Sequence, residues 1–292
     1  MNIITILEKI GFCETQNEAY LKYKALIGDE IFALAKAFMQ GDIPFSDAIK
    51  KAHLLESDTI HKYTINAVFV IECMPFLLEK YKENGISEEI FINSMKDLKY
   101  KLDEVFKVDG FFGVEPIDWY ERFLDLRRFG LGRLQFNLDE YDFTDVVLNG
   151  HTLKRGDFAI ACHIPSAGPL TPELCKHSFE MAYEFFKDKV SGGILPVTCY
   201  SWLLYPPYKQ VFGENSNTYD FIRNFKIVDV RETETFGDAW RIFYKSYKGN
   251  VNELPQETSM QRKFADYIKQ GGNFGLAYGV ILLDGKEILT RE

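Results

Sequence analysis

Apolar residues recur at helical spacing through the first third of the chain. Between Glu18 and Gln40, the residues Tyr20, Tyr23, Leu26, Ile27, Ile31, Leu34, Ala35 and Phe38 form one stripe, which predicts a helix stopped by Gly41-Asp42. Pro44 and Ser46 restart the chain into a short helix, and Thr59–Tyr81 reads as a longer one, bent or broken near Pro75. Ser87-Glu88-Glu89 caps another that runs to about Phe106, with Phe91, Met95, Leu98 and Leu102 on one side. The Gly-rich stretch from Lys107 to Pro116 then interrupts the pattern and is the best linker in the chain. A helical N-terminal domain is therefore expected over 1–112 and a second domain over 113–292.

Beyond the linker the period changes. Asp118–Phe129 is expected as a last amphipathic helix ended by Gly130. Arg133–Leu138 alternates Leu134, Phe136 and Leu138 against Arg133, Gln135 and Asn137, the pattern of a strand with one face buried. Phe143–Leu148 and Phe158–Ile164 follow as strands, the latter apolar on both faces like a central, doubly covered strand. Thr171-Pro172-Glu173 is a strong helix start, with a capping Thr, Pro at the first helical position and an acid in the first turn; that helix runs to about Lys187. Strands at Pro196–Leu203 and Lys226–Val230, helices at Asn217–Phe225 and Gln256–Lys269, and a hairpin of Leu276–Leu283 with Lys286–Leu289 around Asp284-Gly285 complete the reading. The fold class is α+β: an all-helical N-terminal domain followed by a mixed β-sheet flanked by helices.

Composition narrows the chemistry. The 292 residues carry a net charge of −9, which excludes a general binder of nucleic-acid backbone. Aromatic residues make up 15%, favouring aromatic-rich packing or pockets over disorder. The five cysteines (Cys13, Cys73, Cys162, Cys175, Cys199) are odd in number and form no CxxC pair, so reduced thiols in a cytoplasmic protein are expected. No basic segment precedes the first acid, Glu8, so no signal peptide is expected. The apolar run near Ala67–Leu78 is broken by Glu72 and Pro75 and is too short to span a bilayer.

Candidate chemistry concentrates at one strand–loop–helix unit. The strand ending at His163 and Ile164 leads through Pro165, Ser166, Ala167, Gly168, Pro169 and Leu170 into the helix starting at Thr171. Ligands of α/β sheets bind beyond the carboxyl ends of strands, and free N–H groups at a helix start attract anions. Small side chains at 166–168 let a ligand approach the backbone, whereas Pro165 and Pro169 remove two donors and Glu173 adds a negative charge. A plain connection remains the simpler reading of the loop taken alone. His163 is suited to deprotonate an amine, although a histidine at a strand end is more often structural; Cys162 points to the opposite face, so no local Cys–His dyad is expected. Cys175 and His177 lie on different sides of their helix, and no metal site is expected. Arg127, Arg128 and Arg133 could supply charge to an anion or form a salt-bridged surface. Arg127-Arg128-Phe129-Gly130-Leu131-Gly132 spells R-x-x-G-x-G, but its place at a helix end makes Gly130 and Gly132 helix-stop glycines. Tyr200, Trp202, Tyr205 and Tyr208 could line a pocket or simply pack.

The order of elements and several stretches resemble a bacterial acyltransferase family with a helical N-acyltransferase N-terminal domain and a GNAT-like C-terminal domain. The stretches are Trp119–Phe136 (WYERFLDLRRFGLGRLQF), His163–Thr171 (HIPSAGPLT), Ser201–Leu204, Ser216-Asn217 with Phe221 and Phe225, and Gln261-Arg262. The resemblance implies an acyl-CoA co-substrate, acetyl-CoA being the expected one, an unidentified amine acceptor, and no metal, nucleic acid or membrane partner. It implies that Cys162, His163 and Ile164 meet the donor's pantetheine. Ser166, Ala167, Gly168, Leu170 and Thr171 then stand in place of the family's pyrophosphate loop, without its usual Arg or Gln. Asn217 falls where a polar residue often contacts the donor. His163 as base and Tyr219 as the acid that protonates the leaving thiolate are the catalytic candidates, Tyr219 lying in the first turn of its helix where the family's Tyr lies near the end. A non-catalytic CoA- or nucleotide-binding or regulatory protein on the same fold is the alternative.

Overall fold

The computed structural model describes residues 1–190 and 192–291. The chain divides into two compact units, Met1–Gly130 and Leu131–Glu292. The sequence pattern puts the boundary at 112/113, and a first proteolytic cut near Lys107–Pro116 is the outcome expected from it.

The first unit holds α1 (Ile3–Lys9), α2 (Glu14–Ile27), α3 (Glu30–Gln40), α4 (Phe45–Ala52), α5 (Lys62–Glu83), α6 (Glu88–Asp109) and α7 (Glu121–Leu124). The long helix expected over 18–40 is two helices, because Gly28 adopts φ +84, a conformation that costs a residue without Cβ nothing. Pro75 lies inside α5 without ending it: residues on every side of this helix are buried, and packing outweighs one lost backbone hydrogen bond. The stretch around 107–116 is tied to α5, where Thr64 Oγ1 donates to the Phe112 carbonyl at 2.6 Å and the Val114 N–H donates to the Tyr63 carbonyl at 2.9 Å. The expected helix over 118–129 is a 3₁₀ turn at Ile117–Tyr120 followed by the four residues of α7.

Among the described residues the strands are β1 (Arg128–Leu131), β2 (Leu134–Glu140), β3 (Val146–Leu148), β4 (His151–Leu153), β5 (Phe158–His163), β6 (Leu195–Ser201), β7 (Lys226–Thr233) and β8 (Phe274–Leu283). The accompanying helices are α8 (Pro172–Phe186), α9 (Lys209–Phe212), α10 (Asn217–Ile222), α11 (Ala239–Phe243) and α12 (Ser259–Lys269). One six-stranded sheet has the order β1-β2-β5-β6-β8-β7, and β3 pairs with β4 separately. The sheet is mixed: β2–β5, β6–β8 and β8–β7 run antiparallel, and β5–β6 run parallel. The chain passes from the first unit to the second within β1.

Three expectations change here. Gly130 does not stop a helix: it lies in β1, where an added Cβ would sit 2.7 Å from the Asn93 carbonyl oxygen, so the glycine permits close backbone approach. Gly132 turns β1 into β2 at φ +69, with the Ser178 hydroxyl 2.6 Å from where a Cβ would be. The strand expected over 143–148 is shorter and forms a hairpin with β4, turned by Asn149 and Gly150, both at positive φ.

Register assigns the two faces of the sheet. Phe136 pairs with Cys162 and Ile160 with Val197, so these residues share one face, and Phe179 of α8 packs against Phe136 there. Phe221 of α10 stacks on Phe179, so α8 and α10 cover the same side. The other face carries Gln135, Asn137, Ala159, Ala161, Thr198, Tyr278 and Val280; Tyr141 and Leu153 pack against its lower half. Gln135 and Asn137 were expected on a solvent face, but each is only 2% exposed. Both faces of β2 are therefore buried, and polar residues on the second face must find partners inside the protein.

Candidate functional site

The two parallel strands part company. Among the described residues, only Ile160–Val197 and Ala161–Thr198 stand in register between β5 and β6, although both strands continue toward their carboxyl ends. Past that point, among the described residues, no pair is in register between Cys162 or His163 and Cys199, Tyr200 or Ser201, although the Cys162 and Cys199 side chains still meet. By contrast β6 and β8 keep seven pairs in register. Backbone groups of a strand that has lost its neighbour are natural partners for an extended ligand lying along it.

His163 closes β5 and is partly buried. Its Nε2 hydrogen-bonds the Oδ1 of Asn137 on β2, on the face opposite α8. Cys162 points the other way, beneath α8. Burial pushes its thiol well above the ordinary cysteine range, and the neighbouring Cys199 thiol adds to the effect. Burial likewise raises Cys175 to about 11. The Cys162 and Cys175 thiols stay protonated near neutral pH and offer no nucleophile.

The loop after β5 is held from one side. Arg133, at the head of β2, donates from Nη2 to the Gly168 carbonyl at 2.7 Å and from Nε to the Pro169 carbonyl at 3.1 Å. In a trans peptide the N–H points away from the C=O, so fixing the Pro169 carbonyl aims the Leu170 N–H to the opposite side. The Ala167 N–H is used internally, on the Pro165 carbonyl at 2.8 Å. Gly168 has φ +91, with open space where a Cβ would be. Ser166 and Gly168 are exposed, Ala167 and Thr171 half-buried and Leu170 buried. Thr171 caps α8 by accepting from the Leu174 N–H.

The remaining candidates lie elsewhere on this scaffold. Asn217 is exposed at the start of α10, and Tyr219 is half-buried with its N–H capped by Ser216 Oγ at 3.1 Å. Tyr219 belongs to α10, and His163 points to the opposite face of the sheet from that helix. Arg127 pairs with Asp125 near the protein surface, and Arg128 is buried against the Trp119 ring, 3.6 Å from its centroid. Trp202, Tyr205 and Tyr208 pack with Phe212, Phe236 and Phe264, whereas Tyr200, near the end of β6, is 48% exposed. Among the described residues no group of His, Cys, Asp and Glu could hold a metal ion, and no helix is long and apolar enough to cross a membrane.

The GNAT-like C-terminal domain matches residues 129–281, more than half of the chain, and the N-acyltransferase N-terminal domain matches residues 1–126. The chain belongs to this GNAT-like family. No curated protein matches it. Among solved structures, an acyltransferase in complex with decanoyl-CoA and teicoplanin superposes with a TM-score of 0.69 at 19% identity, covering 96% of this chain and 87% of that one. An acyltransferase mutant in complex with octanoyl-CoA does so with a TM-score of 0.68 at 18% identity, covering 94% and 86%. A third, in complex with CoA and 10C-teicoplanin, gives 0.68 at 18% identity over the same shares. At these identities the similarity is one of fold.

In this GNAT-like chain three features escape a reading by motif. Asn137 sits in an alternating strand where a polar residue signals solvent, and only the burial of both faces turns it inward. The contact of Arg133 with the loop spans 35 residues of sequence separation to Gly168. The parting of β5 from β6 is a property of two strands at once.

Proposed function

We propose that this protein transfers an acyl group from acyl-CoA to an amine. The observation that carries the reading is the parallel β5–β6 ladder, whose register ends after two pairs, before His163. On this reading the pantetheine lies along Cys162, His163 and Ile164, where it replaces the missing neighbour strand. The pyrophosphate rests on the 166–171 loop, whose carbonyl side is taken by Arg133. A backbone N–H at the end of β5 polarises the thioester carbonyl, His163 takes the proton of the amine, and Tyr219 at α10 returns one to the thiolate. Asn217 contributes a polar contact to the donor. Much of the rate comes from holding amine and thioester together. Acetyl is the donor group expected from sequence; the octanoyl- and decanoyl-CoA held by the structural neighbours make acyl length the first variable to measure.

Titration calorimetry and thermal melts with CoA, acyl-CoAs from acetyl to decanoyl, and a panel of nucleotides test the reading. A ligand bound by the folded state alone raises the melting temperature by mass action. We expect a rise with CoA and its thioesters. No rise at millimolar CoA, with a clear rise for another nucleotide, overturns the donor assignment. Binding without turnover toward any amine would favour a non-catalytic CoA-binding protein.

The loop has its own test. Gly168→Asp places a carboxylate where the pyrophosphate is proposed, and Gly168→Asn imposes the same backbone strain at φ +91 without the charge. Asp is expected to weaken CoA binding by about tenfold or more, roughly 1.4 kcal/mol, relative to Asn. Equal affinities for the two variants move the pyrophosphate elsewhere.

A further inference from the structure

Asn137 is 2% exposed and lies in the middle of β2, flanked on its own face by Gln135 and Asp139. A buried carboxamide in a strand has to satisfy a carbonyl and an NH₂ group, and the way it does so fixes its orientation. Its Nδ2 donates to the Leu138 carbonyl at 3.1 Å. That bond requires the NH₂ group on the Leu138 side, since a flipped amide would set two oxygens against each other. Oδ1 therefore faces the imidazole of His163, and an amide oxygen can only accept. The ring nitrogen it meets must carry a hydrogen.

We propose that Asn137 is a positioning residue that holds His163 as its Nε2–H tautomer, leaving the lone pair of the neutral ring on Nδ1, the atom that accepts the proton of the acceptor amine. The proposal rests on the acyltransferase reading for its chemistry, while the tautomer itself follows from the hydrogen bonds. In the step, the amine nitrogen bonds to the thioester carbon and the carbon–sulfur bond breaks. The proton lost by the amine passes to Nδ1, and the departing CoA thiolate takes up one proton, so amine and thioester become amide and thiol. A histidine free to exchange tautomers would spend part of its time with Nδ1 protonated and unable to act as base. Asn137 removes that loss without adding charge. Acid in the same place would stabilise the imidazolium and raise the pH at which the base becomes available. Among the described residues, the other titratable or charged groups on this face are Asp139 of β2, Tyr200 of β6, Tyr278 of β8 and Tyr141 packed against it, with Arg133 at the head of β2 engaged on the loop. Burial raises Tyr278 to about 12, so it is neutral over the relevant range.

The test uses the full chain, labelled with ¹⁵N, in long-range ¹H–¹⁵N spectra of the imidazole rings over a pH series, assigned by comparison with His163→Gln. We expect the neutral His163 ring to show a pyrrole-type Nε2 and a pyridine-type Nδ1. In Asn137→Asp the His163 titration should move to higher pH by about one unit or more, and the rising limb of the kcat–pH profile should move with it. In Asn137→Leu the tautomer preference should weaken and kcat should fall about tenfold or more, with KM for acyl-CoA little changed. A pyridine-type Nε2 in the wild-type protein overturns the proposal, as does an Asn137→Asp titration that stays in place. A wild-type protein with the expected tautomer but normal turnover after His163→Gln overturns the catalytic half and leaves donor binding untouched. Absence of acyl transfer altogether, with no CoA binding, condemns the functional reading instead, and the spectra still decide the tautomer.

Discussion

His163→Gln lowers kcat by about 10²–10⁴ while the affinity for acyl-CoA stays close to that of the unaltered protein. Glutamine keeps a polar group at the end of β5 that can still reach Asn137, but it has no titratable nitrogen. The sign of the pH dependence follows directly. A histidine base works only when neutral, so the rate of the unaltered protein rises with pH through the His163 pKa; in the variant that limb is gone and a low, flat rate remains. The measurement is kcat and KM against pH, with an amine panel as acceptors and melting temperature taken on the same preparation. If His163 is a structural residue, the outcome reverses. The melting temperature then falls by an amount worth about 1–3 kcal/mol, the cost of imperfectly bonded polar groups, and turnover per folded molecule stays normal. Proximity alone, with water carrying the proton, would then be the mechanism.

Arg128→Met destabilises the first unit by about 3–5 kcal/mol. Arg128 is 5% exposed, its Nη1 donates to the Trp119 carbonyl at 2.8 Å, and its guanidinium lies 3.6 Å from the centroid of the Trp119 ring. Burial brings the guanidinium down to about 10, and the Asp97 carboxylate, itself 2% exposed, pulls in the opposite direction. Removing the cation takes away a positive charge that the buried Asp97 interacts with, and Met restores volume but not charge. Chemical denaturation of the variant, of Asp97→Asn and of the double variant closes a cycle that isolates the pair. The double variant should recover part of the loss. A loss under about 1 kcal/mol for Arg128→Met would mean that water or another cation compensates Asp97.

Helix and strand identity were legible wherever one local force acted alone. The periodicity of Glu88–Asp109, the Thr171-Pro172 start of α8 and the alternation of Leu134 and Phe136 each come from a few neighbouring residues, and the structure has these elements close to where the pattern puts them. Local reasoning failed where packing competes with propensity. α5 runs through Pro75 because its surroundings are buried on all sides, and the helix expected over 118–129 is cut to a 3₁₀ turn and the four residues of α7 before a strand begins. Gly130, which by pattern stops a helix, is required by the backbone of Asn93 and Ser94, and nothing within several residues of it says so.

The candidate site divides in the same way. That His163 closes a buried strand and that Gly168 lies in a small-residue loop before a capped helix follow from the order of residues alone, since side-chain alternation and helix capping are short-range effects. The company those residues keep does not. Whether β5 stays paired with β6 depends on the course of two strands separated by a whole helix. Arg133 reaches Gly168 and Pro169, and Asn137 reaches His163, only because β2 lies beside β5 in the sheet. Burial of a second sheet face converts Asn137 from a surface residue into one obliged to choose its hydrogen-bond partners. Sequence thus determined which groups exist and which short elements carry them. The tertiary structure decided which groups meet, because strand pairing and burial are set by contacts between segments far apart in the chain.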